Sequence, residues 1–238
     1  MNITIIGTGF VGVVSAAVYA SFGNSVIGLD VDENKIESLR HSKVPFFEPD
    51  LEDLLTHQQT EGNLHFTTDY KEAISDADVV IIAVGTPSDK DGNANLSYVY
   101  ASVESAAEFL KPGAILVVKS TVPPGTLNAV REKALEHTSA KFSLASLPEF
   151  LREGSAVHDT LHPDRVVIGA ESEEAFERLE KLHQPLDAPV IKMSPESAQM
   201  TKYAANAYLA TRITFINQIA DLCETNGADV NEVISGIS

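Results

Sequence analysis

Short apolar runs alternate with segments of helical period along most of the chain. "NITIIG" is rich in β-branched residues and reads as a strand. "VGVVSAAVYASFG" follows as a helix of small residues stopped by Gly23. "SVIGLD", "LHFTTD", "DVVIIAV", "AILVVKST", "FSLASLPE", "RVVIGA" and "APVIKMS" read as further strands. Between them "DENKIESLRHSK", "EPDLEDLLTHQQTEG", "YKEAIS", "LSYVYASVESAAEFLKPG", "LNAVREKALEH" and "SEEAFERLEKLH" carry helical periodicity. The stretch between "LPE" and "RVVIGA" reads as a loop. This β-α alternation predicts an α/β fold, a Rossmann-like doubly wound parallel sheet with helices on both faces. No repeat of solenoid period interrupts it.

From Ser194 the pattern changes. "SPESAQMTKYAANAYLATRITFINQIADLCETNG" predicts one long helix, with Ser194 as N-cap, Pro195 at the first helical position and Gly227 as the stop. At roughly 30 residues it would be ~45 Å long, a spine leading into another domain rather than a crossover. The expected division is a dinucleotide-binding domain over 1–193 and, over 194–238, the central helix with the start of a helical domain. "ADVNEVISGIS" opens a new helix with no closing element, so a downstream half is expected beyond it.

The phosphate chemistry is concentrated near the N-terminus. "ITIIGTGFVG" places Gly7, Gly9 and Gly12 as G-x-G-x-x-G after a strand and at the start of a helix. Gly7 permits the tight turn, Gly9 the approach of a pyrophosphate, and Gly12 close helix packing. The helix N-terminus offers free N–H groups to the phosphates. Asp30, about 20 residues on at the end of "VIGLD", stands where an acid accepts hydrogen bonds from the ribose hydroxyls. A carboxylate there repels a 2′-phosphate, which favours NAD over NADP. Lys35, five residues further, is placed either to reach the ribose or to be a solvated helix lysine.

Ligands in such sheets lie beyond the carboxyl ends of the strands. Three strand-end loops carry unusual residues: "AVGTPSDKDGN" with Thr86, "VVKSTVPPGT" with Thr121, and "SLPEFLREGSAVHD" with Glu149 and Glu153. A helical turn over 149–153 would set the two acids on one face, as a ligand site or as ordinary acids at a helix start. Lys202 and Asn206 are also four apart on the long helix. They fit either a solvated face or a cation and an amide that stabilise an oxyanion.

Composition narrows the function classes. A net charge of −17 disfavours nucleic acid and anionic membrane surfaces as partners. There is no basic leader, and no apolar run reaches ~18 residues, so neither a signal peptide nor a membrane span is expected. The single cysteine, Cys223, cannot form an internal disulfide, which fits a reducing, cytoplasmic setting. The seven histidines are scattered. Only His158 and His162 have i,i+4 spacing, in a loop-like context before Pro163, so no metal site is expected.

The segments "ITIIGTGFVG", "VGTPS", "KSTVPPGT", "PEFLREGSAVHDTLHPDRVVIG" and "KYAANAYLATRITFINQIADL" together resemble the UDP-glucose/GDP-mannose dehydrogenase family, over the whole chain. "EFLREGSA…HPDRVVIG" is more similar to its UDP-glucose 6-dehydrogenase branch. The resemblance implies a dinucleotide domain, a central helix for homodimer contacts and a C-terminal UDP-binding domain. It implies oxidation of the C6 alcohol of a UDP-sugar to a carboxylate with two NAD, for polysaccharide biosynthesis. A family cysteine traps the aldehyde as a thiohemiacetal, and a thioester is then hydrolysed.

Family roles fall on matching positions. The resemblance implies that Glu149 handles water and protons in hydrolysis. It implies that Lys202 stabilises the oxyanion and contacts the sugar, with Asn206 and Thr121 as partners of the reacting oxygen or a water. Val11, Asp30, Lys35, Thr86, Thr121 and Glu153 fall at cofactor contacts. Glu149, Phe150, Leu151, Arg152 and Glu153, with Lys202 and Asn206, fall at the substrate.

The family's nucleophile lies in a G-G-x-C-x-P-K-D loop, a pattern this sequence lacks. Cys223 instead continues the apolar stripe of Ile216 and Ile219 and reads as a core residue. The chain is therefore expected to be a cofactor half that binds NAD without completing the second oxidation. Two other readings stay open: a hydroxyacid or 6-phosphogluconate type of NAD dehydrogenase, and a non-catalytic NAD-binding or dimerisation module.

Overall fold

The computed structural model describes residues 1–237. The chain divides into two units, Met1–Gln199 and the residues from Met200 on.

The first unit is built on eight strands: β1 (Asn2–Ile6), β2 (Ser25–Leu29), β3 (Leu64–Thr67), β4 (Val79–Ile82), β5 (Ile115–Val118), β6 (Ser143–Ser146), β7 (Val166–Ala170) and β8 (Val190–Met193). They form one sheet in the order β3-β2-β1-β4-β5-β6-β7-β8. The connecting helices are α1 (Phe10–Ser21), α2 (Glu33–Arg40), α3 (Leu51–Thr60), α4 (Tyr70–Ile74), α5 (Ser97–Ala107), α6 (Thr126–His137), α7 (Ala156–Leu161) and α8 (Glu173–His183).

Strand alternation produces two cores. Ile3, Ile5, Val79, Ile81, Ile115 and Val117 pack on one face of the sheet with α1, α3 and α8. Ile6, Val80, Ile82, Leu116 and Val118 pack on the other with α5 and α6. A strand covered on both faces needs apolar residues at every position, which is why "VVII" and "ILVV" are continuous runs. Helix α1 is buried from Gly12 to Ala20 because its small side chains let it sit close to the sheet.

Two expectations need correction. First, the sheet is not wholly parallel: β6 and β7 pair antiparallel, whereas β7 and β8 are parallel. Residues 147–165 stay at the carboxyl edge of the sheet instead of crossing back beneath it, so β7 must run the other way. Second, this stretch contains a short helix, α7, with the His158 and His162 rings 5.0 Å apart at its end. No helical turn joins Glu149 to Glu153; the helix begins only at Ala156.

In the second unit, α9 (Pro195–Asn226), which starts in the first, continues to Asn226 and is followed by α10 (Val230–Ile237). The Ser194 hydroxyl accepts from the Ser197 amide at 3.2 Å, and Gly227 stops the helix at φ +71°. Cys223 is 7 % exposed, as its place on the apolar stripe requires. No helix among the described residues is long and apolar enough to cross a membrane.

A buried polar pair ties α1 to α8. His183 Nδ1 lies 2.7 Å from the Leu179 carbonyl and Nε2 lies 3.1 Å from the Tyr19 hydroxyl. The ring therefore donates from Nδ1 and accepts from the tyrosine. Burial drives its pKa down from 6.5 to about 4, slightly opposed by the Leu179 hydrogen bond. Between those values the unfolded chain binds the proton and the folded one does not. The stabilisation is complete above about pH 6.5 and is lost as pH falls towards 4. Urea unfolding of wild type and His183→Gln should converge by about 2 kcal/mol between pH 7 and pH 5. An unchanged difference would remove this histidine from the acid response.

Candidate cofactor and substrate site

Strands β2, β1, β4, β5 and β6 are mutually parallel, so their carboxyl ends share one edge of the sheet. In that order the edge presents Asp30, the Gly7 turn, Thr86, Thr121 and Glu149. Four strand spacings separate the first from the last, about 19 Å. The chain passes from β1 to β2 on one side and from β4 to β5 on the other, so the connections leaving their carboxyl ends diverge and a crevice opens between β1 and β4.

The turn after β1 depends on glycine at two places. Gly7 has φ +95°, and a Cβ there would lie 2.8 Å from the Ala83 carbonyl oxygen. A Cβ on Gly12 would lie 1.8 Å from the Gly7 carbonyl oxygen. Only a bare residue lets α1 begin this close to the strand it follows. Gly9 is the N-cap of α1 and provides no capping side chain, and the first turn holds no acid. By contrast Asp32, Asp69 and Ser172 cap α2, α4 and α8 with their own oxygens. The amides of α1 are thus left for an external anion, and a Cβ at Gly9 would meet nothing within 4 Å.

Asp30 holds this turn from the next strand. Its Oδ2 accepts from the Thr8 amide (2.8 Å), the Thr8 hydroxyl (2.9 Å) and Lys35 Nζ (2.8 Å), and its Oδ1 accepts from the Asp32 amide at 3.1 Å. Burial raises the carboxyl pKa, but the Lys35, Thr8 and Asp32 donors together bring it below the ordinary value. Oδ2 is fully engaged, so Oδ1 is the oxygen with room for a ribose hydroxyl. Lys35 is ion-paired to Asp30 rather than simply solvated.

A crevice of about 380 Å³ opens here, with Gly7, Gly9, Asp30, Lys35, Tyr70 and Tyr98 among its walls. Thr8, Tyr70 and Tyr98 escaped sequence reasoning. Thr8 had a readable signal, a hydroxyl between the first two glycines. The tyrosines sit at helix starts distant in sequence and had none. Val11 is half-buried in the first turn of α1.

Further along the edge, the Thr86 hydroxyl donates to the Thr121 carbonyl at 2.9 Å and the Ser120 hydroxyl to the Val84 carbonyl at 2.7 Å, tying the two strand-end loops together. In the next loop the Leu151 amide donates to Glu149 Oε2 at 2.6 Å. Arg152 grips Asp159 through Nε (3.0 Å) and a terminal nitrogen (2.7 Å). That grip, with the Ser155 hydroxyl, lowers the Asp159 pKa against burial. The Arg152 head is therefore committed within the protein, while Glu153 is exposed. Arg165, which sequence reasoning did not single out, stacks its guanidinium 4.0 Å from the centre of the Phe150 ring. Lys202 and Asn206 lie one turn apart on α9 in the second unit. A surface group of Glu104, Glu136 and His137 brings three potential metal ligands within 4.8 Å, but Lys133 already pairs with both carboxylates.

Residues 1–187 match the NAD-binding domain of the UDP-glucose/GDP-mannose dehydrogenase family, and residues 196–238 match its central domain. The chain belongs to this family. It is 48 % identical over 238 residues to the UDP-glucose 6-dehydrogenase TuaD of Bacillus subtilis, covering 99 % of this chain and 52 % of that protein. Against the UDP-glucose 6-dehydrogenase of Rhizobium meliloti the identity is 45 %, covering 100 % and 56 %. A UDP-glucose dehydrogenase structure from Pyrobaculum islandicum superposes with a TM-score of 0.94 at 40 % identity, covering 99 % of this chain and 56 % of that one. A ternary complex of GDP-mannose dehydrogenase from Pseudomonas aeruginosa gives 0.93 at 37 %, covering 100 % and 56 %. The chain spans about half the length of the curated relatives it matches.

The glycine turn, the uncapped α1 amides and the Oδ1 acceptor fit the pyrophosphate and ribose of NAD. Gly12→Ala should abolish NAD binding in calorimetry and destabilise the domain by about 1–3 kcal/mol, because α1 must move off the Gly7 carbonyl. A variant that binds NAD as wild type does would show that this close approach is dispensable.

Proposed function

We propose that this chain is the cofactor-binding part of an enzyme that oxidises the C6 alcohol of UDP-glucose to the carboxylate. The observation that carries the reading is the shared edge, where a dinucleotide cradle and the "PEFLREG" loop lie on strands of one sheet. NAD supplies the hydride acceptor for each of the two oxidations. Gly7, Gly9 and Val11 would bind its phosphates in the turn that Gly12 allows to pack closely, with Asp30 and Lys35 at the ribose and Thr86, Thr121 and Glu153 towards the nicotinamide.

Glu149 takes the role of base and water handler. Its carboxylate stands at the end of β6, oriented by the Leu151 amide. The 149–153 backbone lines the sugar, with Phe150, Leu151 and Arg152 acting as its frame. Lys202 and Asn206 would stabilise charge developing on the C6 oxygen. The division at 193/194 is the proposed domain boundary. Exposed apolar side chains along α9, including Tyr208, Ile213 and Phe215, support a homodimer through that helix. One unpaired, buried thiol fits a reducing, cytoplasmic setting.

Cys223 is not the thiol this reaction needs. It is buried, and the Ala228 amide occupies its carbonyl at the end of α9. In the full-length polypeptide that contains this chain, two NAD should be reduced per UDP-glucose. Cys223→Ala should keep kcat within about two-fold, and Glu149→Gln should lower it by about 100-fold or more. Faster reduction of NAD with small hydroxyacids than with UDP-glucose would transfer the reading to the hydroxyacid class. An unaffected Glu149→Gln enzyme would remove the assigned base.

A further inference from the structure

We infer that Glu48 is a positioning residue of this site, a buried clasp that fixes the loop carrying Glu149. The inference rests on the role proposed for Glu149. Glu48 lies between α2 and α3 in "VPFFEPD" and is only 5 % exposed. Its Oε2 accepts from the Gly154 amide at 3.0 Å and its Oε1 from the Val157 amide at 3.2 Å. Both oxygens thus reach across more than a hundred residues of sequence to main-chain donors of one short segment. No ion pair to Glu48 occurs among the described residues. A carboxylate taken out of water is costly unless its hydrogen bonds are made, so burial and the two amides depend on each other.

The position of the clasp gives it leverage. Gly154 turns the chain at φ +84°, and the Ser155 amide closes the turn on the Arg152 carbonyl at 3.1 Å. Arg152 is fixed from the other side by Asp159. Glu149, Phe150 and Leu151 are therefore suspended between β6 and a knot held by Glu48. The same segment also meets the cofactor cradle: the Phe46 ring packs edge-on to Phe10, the first residue of α1, at 5.2 Å. One loop thus touches both the start of the phosphate-binding helix and the proposed catalytic loop.

The chemistry selects glutamate. Asp is a methylene too short to reach both amides. Gln keeps one acceptor but turns an N–H towards an N–H.

The test uses Glu48→Gln and Glu48→Asp in the full-length polypeptide. Amide hydrogen exchange at Gly154 and Val157 should quicken by about ten-fold or more, while the NAD dissociation constant stays within about two-fold. The kcat for UDP-glucose oxidation should fall by about ten-fold or more, with a smaller change in KM. Unchanged exchange, or unchanged kcat with quickened exchange, overturns the proposal. Loss of NAD binding together with turnover in both variants also overturns it, since Glu48 would then serve folding alone. A wild-type polypeptide that does not oxidise UDP-glucose fails the proposed function instead, and the exchange measurement then decides the clasp by itself.

Discussion

A carbonyl oxygen at Gly7 and the bare α-carbon of Gly12 share a space too small for a methyl group. Because they do, α1 starts directly over the end of β1 with its first amides pointing past the sheet edge. Helix N-termini leave such donors unmatched, and at α2, α4 and α8 a side chain from the N-cap absorbs some of them. At α1 the cap is a glycine. The turn is kept in shape from outside, through the Asp30 carboxylate that receives the Thr8 amide and hydroxyl. The capacity of this turn to accept an anion is thus a property of main-chain geometry, which the Asp30 and Thr8 side chains hold in place.

The rest of the site follows from keeping strand ends on one edge. Each parallel crossover returns the chain to the opposite edge, so each strand delivers one loop to the ligand side. After β6 the chain departs from this scheme. It stays on the ligand side through residues 147–165, and the antiparallel β7 is the consequence. A longer loop costs more ordering entropy, and the structure offsets that locally with the Arg152–Asp159 grip and the Glu48 clasp. The reversal of strand direction and the unusual loop chemistry therefore have one origin.

How much of this was legible in sequence differs by residue. The strands were readable because double-sided burial demands unbroken apolar runs. The glycine turn was readable because steric exclusion leaves only one residue type. The long helix was bounded by a serine, a proline and a glycine whose roles are local. The direction of β7 was not readable, since "RVVIGA" has the same pattern in either orientation. The helix α7 was hidden by its shortness and by Pro163 beyond it. Glu48 and Thr8 were hidden for a different reason: their partners are fixed by tertiary folding, and a glutamate in a Pro-rich loop looks like surface. The chemistry of Cys223 was readable by elimination, because a residue continuing an apolar helical stripe is committed to packing.

A chain with a net charge of −17 that binds anions poses an apparent contradiction. The ranges of the two effects resolve it. Repulsion from scattered surface carboxylates is screened over about 8 Å at physiological salt. The α1 amides act at hydrogen-bond distance in a crevice partly shielded from water, where the effective dielectric is lower. Asp30 and Lys35 form a near-neutral ion pair, so this carboxylate does not bring its full charge to an anion held at the turn. The acidic surface then works against broad attachment to polyanions, which bind through many dispersed contacts. It leaves almost untouched a ligand whose charge enters one oriented cradle.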